Sequence, residues 1–225
     1  MPEIRPFREN DVKPHYMTWG KGEPRGYHHG NLRETLIRAA MDLIAKKGTA
    51  GFTFAEAARF AGVSPAAPYR HFRDRDELMA QVALRGFVAF ELALARAWDE
   101  GRPNPLAALD RLGKAYLDFV RTEPAYYAAM FEGGIPASAD PQLRDASERA
   151  FGVLRAAAEK LCAATPPAGR PPVLMVALHL WTMAHGVASL FGRNDGGRRA
   201  LPMSPAELLE AQTLVYLRGL GVTGA

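Results

Sequence analysis

A single cysteine, Cys162, is all that the 225-residue chain has. This excludes an intramolecular disulfide, a thiolate zinc cage and an iron–sulfur cluster, each of which needs several cysteines, and it suits a reducing compartment. Cys162 follows a helical run with no fixed His or Asn partner evident, which favours a small core residue over a nucleophile. The first ten residues, Met-Pro-Glu-Ile-Arg-Pro-Phe-Arg-Glu-Asn, lack the apolar core of a signal peptide, so the expectation is a cytoplasmic protein. Strand-like alternation of any length is missing. The glycine-rich run from Gly20 to Gly26 has neither phosphate-loop spacing nor a preceding strand, and is expected to be a flexible linker. His179 and His185 lie six apart, about 240° around a helix, so they do not face one metal as an i, i+4 pair would. The expectation is therefore no metal, no cofactor and no catalytic residue.

What is present is a globular composition, 48% hydrophobic and 23% charged, with an uneven charge distribution. Residues 1–85 hold 14 Lys and Arg against 10 Asp and Glu, whereas the remainder holds 14 against 14. A basic module on a neutral body suits an anionic partner such as nucleic acid. From Pro171 to Gly192 no charged residue occurs, a run long enough to span a bilayer. It nevertheless contains His179, Thr182, His185 and Ser189 and opens with two prolines, so a buried helix at a subunit interface is the preferred reading over a membrane span.

Helix punctuation recurs along the chain. Residues 1–28, with four prolines and many charges, are read as a mobile arm. Asn31 and Glu34 open a first helix with an apolar stripe at Leu36, Ala39, Ala40, Leu43 and Ile44; Lys46, Lys47 and Gly48 close it. The two lysines are read as a solvated helix end. Thr53 and Glu56 form a capping box for a short second helix that stops at Gly62. Two residues later, Ser64 is expected to cap a third helix with Pro65 at its first position. Asp74 and Glu77 open a long fourth helix to about Asp99. Two short helices at a tight turn form a helix-turn-helix arrangement, although spacing alone leaves an ordinary helical hairpin open.

The run from Phe52 through Ser64, Phe-Thr-Phe-Ala-Glu-Ala-Ala-Arg-Phe-Ala-Gly-Val-Ser, and the run from Tyr69 through Leu78, Tyr-Arg-His-Phe-Arg-Asp-Arg-Asp-Glu-Leu, resemble the DNA-binding domain of TetR-family transcriptional regulators. The lead-in from Tyr27 to Arg33 is similar to the start of helix one in one branch of that family. Leu180-Trp181-Thr182-Met183-Ala184-His185-Gly186 resembles the Trp-His-Gly signature of that branch's C-terminal regulatory domain. The resemblance implies an all-α fold: a three-helix helix-turn-helix head over residues 29–90, motif about 53–72, joined by a long fourth helix to a helical regulatory and dimerisation body over 91–225. It further implies a homodimer on a palindromic double-stranded DNA operator, a small-molecule effector, usually repression, and no membrane.

By the same resemblance Thr53, Tyr69, His71 and Arg75 fall where relatives touch phosphates, and their donors suit that role. Ser64, Pro65, Ala66, Tyr69 and Arg70 occupy the groove-facing element. Ala66-Ala67-Pro68 can offer methyl contacts but no side-chain hydrogen bond, so direct base readout is expected to be thin. Pro68, four residues after Ser64, lacks the N–H of the first helical bond and predicts an irregular start to helix three. Phe60 is an aromatic where the family often has a polar residue.

Beyond residue 100, prolines and glycines divide the body into helices beginning near Pro105, Pro124 and Pro141, then about Val173 to Phe191 and Pro205 to Leu220. The resemblance implies that the last two pair with their copies across a two-fold axis. Tyr116, Phe119, Tyr127, Met130, Phe131, Trp181 and His185 are the candidate effector residues, with plain core as the competing reading for each. Trp181 and His185 stand i, i+4 on one face, offering one apolar and one polar group to a ligand. The reading from another functional class, a helical enzyme or carrier, lacks nucleophile, metal and phosphate motifs.

Overall fold

The computed structural model describes residues 32–165, 169–191 and 202–222, and among them the regular structure is entirely helical. Local capping explains most boundaries. Helix α1, Leu32–Lys47, buries the stripe Leu36, Ile37, Ala40, Leu43 and Ile44 and ends where Gly48 takes φ +74°, a conformation that a side chain would strain. Its expected cap, Asn31, and the arm before it lie outside the described residues. Helix α2, Phe54–Phe60, carries both halves of the Thr53–Glu56 capping box. Seven residues are too few to hold a helix alone, so α2 depends on burying Phe54, Ala57 and Ala58.

The next element departs from expectation. Ser64 does not cap an α-helix: residues 65–66 form a turn, and Ala67–Arg70 form a single 3-10 turn without a side-chain cap. The reason is the prolines. Pro65 and Pro68 both lack an amide hydrogen; the Ala67 amide reaches Ser64's carbonyl at 3.0 Å, and His71's reaches Pro68's at 2.9 Å, three-residue bonds that tighten the backbone.

Helix α3, Arg75–Trp98, starts at Asp74, whose carboxylate accepts the Glu77 amide at 2.8 Å. Its 24 residues extend roughly 36 Å and carry the head into the body. Asp99, Glu100 and Gly101, all at positive φ, terminate it. Helices α4 (Pro105–Thr122, capped by Asn104), α5 (Pro124–Phe131), α6 (Pro141–Ala163, capped by Asp140), α7 (Val173–Phe191) and α8 (Pro205–Gly219) complete the body. A second capping box, Ser204 with Glu207, opens α8.

Helix α3 is the axis of packing, with α6, α4, α5 and α1 around it, while α7 lies on α6 and α8. One core runs from Leu36 in α1 to Val222 after α8. Gly86 allows the approach of α5 to α3: a Cβ there would stand 2.7 Å from Met130 Sδ. Helices α3 and α7 are both long and apolar enough to cross a bilayer by length and composition, but half of the most apolar window of α3 is buried inside the molecule. Helix α7 is less covered and exposes Leu174, Leu178 and Leu190, while Leu214 and Val215 of α8 are also exposed.

Candidate nucleic-acid interface and internal cavity

Thr53 at the start of α2, and Ser64, Pro65, Ala66, Tyr69, Arg70 and His71 between α2 and α3, are placed at the surface of the head. Phe54, buried by α2, supports the edge of the Tyr69 ring at 4.9 Å, so the phenol stands 63% exposed yet is held at its base. Phe72 and Pro68, both buried, anchor the two ends of the 3-10 turn on which Tyr69 and Arg70 sit. The Thr53 hydroxyl accepts the Glu56 amide at 3.1 Å, and Lys47 Nζ meets Glu56 at 2.7 Å. Hydrogen bonds from Lys47 and from the Thr53 amide hold the Glu56 carboxyl down at about 2. Arg59 and Arg73, which motif reasoning passed over, are the most exposed of the neighbouring ion-paired cations, although Arg73 also meets Glu77 at 3.1 Å.

Arg75 differs from this exposed group. Its Nε donates to the Phe52 carbonyl at 3.1 Å, one Nη donates to the Thr49 carbonyl, the other meets Asp76 at 3.2 Å, and the guanidinium lies 4.8 Å from the Phe52 ring centre. Those bonds occupy three of its five N–H donors and staple the 49–52 turn to the start of α3. Phe60 also acquires a role: Lys46 Nζ stands 5.3 Å from its ring centre, joining α2 to α1.

The second feature is a cavity of about 350 Å³ between α3, α5, α6 and α7. Five rings line it: Phe87 and Phe90 of α3, Phe131 of α5, Phe151 of α6 and Trp181 of α7. Leu154 and Leu178 add aliphatic wall, and Ser147 and Glu148 are the polar lining side chains. Of the seven candidate effector residues, only Phe131 and Trp181 line it. Behind them Tyr116 and His185 share a hydrogen bond of 2.9 Å between the hydroxyl and Nδ1, with the Tyr127 hydroxyl 3.4 Å from the same nitrogen. Phe131 and Trp181 stand between this polar cluster and the space, their ring centres 4.9 and 5.8 Å from the imidazole. Burial keeps Tyr116 protonated and lowers His185 below its ordinary value, against a weaker opposing pull from Glu132. Phe119 and Met130 are core: Phe119 packs on Phe90 at 4.9 Å, and Met130 covers Gly86.

Cavity and head are physically joined. Phe131 is the last residue of α5; the next carbonyl, that of Glu132, accepts from the Thr49 hydroxyl at 3.1 Å, and Thr49 belongs to the turn held by Arg75. Helix α5 also packs on α1, and a two-pronged ion pair, Glu34 with Arg85, ties α1 to α3.

Comparison with known proteins agrees with this layout. Residues 36–82 match the family described as bacterial regulatory proteins, tetR family, and residues 109–216 match the tetracyclin repressor-like C-terminal domain, together more than two thirds of the chain. The chain belongs to the TetR family of bacterial regulators. A TetR-family regulator from Thermus thermophilus, PfmR, superposes with a TM-score of 0.63 at 21% identity, covering 81% of this chain and 97% of that one. A protein of unknown function from Rhodococcus sp. RHA1 superposes at 0.71 with 29% identity, covering 87% and 98%. The Bacillus subtilis HTH-type transcriptional regulator YobS, itself uncharacterized, is 26% identical over 100 residues, 44% of this chain. That match spans about half the length of the relative. The TetR family is one of regulators, not enzymes; the exposed helix-turn-helix surface of this member lies in the first matched region, and the cavity's lining from α5, α6 and α7 lies in the second, with Phe87 and Phe90 of α3 between the two.

Proposed function

We propose that this TetR-family protein is a cytoplasmic one-component transcriptional repressor, a homodimer that leaves a palindromic operator when its body binds a small molecule. The observation that carries the reading is the single short helix α5, which walls the cavity with Phe131 and reaches the head through Glu132 and Thr49. A ligand that moves α5 acts directly on the turn beneath α2. It can shift the head only by binding one arrangement better than the other.

On the operator side, Tyr69 and His71 donate to phosphates, and Thr53 does so when its hydroxyl hydrogen turns from the Glu56 carboxylate 3.2 Å away, while Ser64, Pro65, Ala66, Tyr69 and Arg70 face the groove. Arg75 contributes chiefly by holding the head's turn, with its remaining N–H groups available to phosphate. A tight proline-bearing turn ending in alanines offers few base-reading donors, so affinity rests on the backbone and specificity on a few contacts. In the body, Phe131 and Trp181 contact the effector, and Tyr116, Tyr127 and His185 set their position from behind; Phe119 and Met130 shape the wall through the core. We also read the body as the Trp-His-Gly type, since Trp181 and His185 pack together at the cavity's inner side. The apolar face of α7 and α8, including Leu190 and Val215, is the dimer surface, which places two heads on half-sites about 34 Å apart.

The test is a salt titration with the protein's own promoter fragment. Affinity should fall steeply and linearly in log–log form as cations are released from phosphates. Equal affinity for the promoter and for unrelated DNA of the same length, or no binding at low salt, overturns the reading.

A further inference from the structure

The cavity's lining states what it accepts. Five aromatic rings and two leucines face a space of about 350 Å³, and among the described residues no Lys, Arg or His lines it. An apolar cavity of about 150 Å³ suffices for benzene, so this one holds two fused rings, or one ring with a short alkyl chain. The rings surround the space from four helices, which suits edge and face contacts to a planar guest rather than the single stripe that a flexible chain follows. Polarity is confined to one end. There the Ser147 hydroxyl donates to the Arg144 carbonyl at 2.8 Å, which leaves it lone pairs to accept with, and the adjacent Glu148 carboxylate is an acceptor only. Arg144 sits outside the lining, 3.5 Å from Asp145 and 3.9 Å from Glu148. A carboxylate on the guest would therefore meet Glu148 at the mouth or lose its hydration against bare rings within.

We infer that the effector is an uncharged aromatic of two-ring size carrying one hydrogen-bond donor toward Ser147 and Glu148, and that the site rejects anionic analogues. The hydroxyl or amino hydrogen of the guest points to the mouth, and its rings lie between Phe131 and Trp181 on one side and Phe151 on another. This rests on the reading of the body as an effector domain.

Isothermal titration of the full chain with 2-naphthol and with 2-naphthoate at pH 7.5 tests it, since the two share rings and differ in charge. The naphthol should bind at least tenfold more tightly. Glu148→Lys, a change at an exposed side chain, should close or reverse that gap, and Leu178→Trp, which fills the wall from a partly exposed position, should abolish naphthol binding while the melting transition persists. Equal or tighter binding of the naphthoate, no binding of the naphthol, or a preference untouched by Glu148→Lys overturns the inference. Operator affinity, measured on the same preparation without ligand, separates the two readings. A chain that binds its operator but no naphthol refutes the ligand class alone; one that binds naphthol but no operator refutes the repressor alone.

Discussion

Gly86→Ala sets two known effects against each other. A glycine inside a long helix costs about 1 kcal/mol relative to alanine, so on an exposed face of α3 the substitution would stabilise. At this position the new Cβ stands 2.7 Å from Met130 Sδ, 3.0 Å from Met130 Cγ and 3.1 Å from Tyr126 Cβ. The thioether end could swing away, but Met130 is buried and Tyr126 Cβ moves only with the α5 backbone. Overpacking of this kind costs about 1–3 kcal/mol. Subtracting the propensity gain leaves a net loss of about 1 kcal/mol, or roughly 2–4 °C in a melt of a chain this size. Gly86→Val should fall further, because it adds two methyls and forfeits the propensity gain. In a Met130→Ala background the two closest atoms are gone, and Gly86→Ala should become neutral or stabilising; the coupling in that cycle is the signature of contact. Circular dichroism melts of the four proteins of the cycle and of Gly86→Val suffice. A rise in Tm for Gly86→Ala in the wild-type background would refute the close approach of α5 to α3, and with it the route from cavity to head.

Tyr69→Phe removes only a hydroxyl from a ring that stays on Phe54, so operator affinity should drop by about 1 kcal/mol with Tm unchanged, whereas Arg75→Ala should lower affinity and Tm together because it releases the Thr49 and Phe52 carbonyls; gel-shift titrations and melts on both proteins tell these apart. Leu190→Arg, on the exposed apolar face of α7, should yield monomers by light scattering and lose operator binding, and a fully dimeric variant would place the interface elsewhere. His185 has a depressed value in the folded protein because burial disfavours its charge, so its contribution to stability is fully present above the unfolded value of about 6.5 and is lost as pH falls through the folded value. Between pH 7.5 and 5, wild type should therefore lose more Tm than His185→Gln, and equal losses would show that the imidazole is solvated.

Most helix boundaries could be read from the chain alone, because caps are local. The Thr53–Glu56 box, the Asp74 cap and the prolines at 105, 124, 141 and 205 each act within three or four residues, and the charge-free segment begins and ends as α7 within the predicted bounds. The family resemblance rested on similarly short runs. Tertiary structure decided what depends on distant partners. Pro68 signalled an irregular helix three, and the missing amides of Pro65 and Pro68 account for its 3-10 turn, but only the buried Pro68 and Phe72 show how that turn is seated on the core. Arg75 looked like a free phosphate ligand until the 49–52 turn, some 25 residues away in sequence, came within reach of its guanidinium. The seven candidates lay at helical spacings on three helices, and spacing cannot say which side of a core is filled. Only the packing of α3, α5, α6 and α7 left Phe131 and Trp181 facing open space while Tyr116, Tyr127 and His185 satisfied one another behind them, because a cavity is a property of the gap between elements and no single element encodes it.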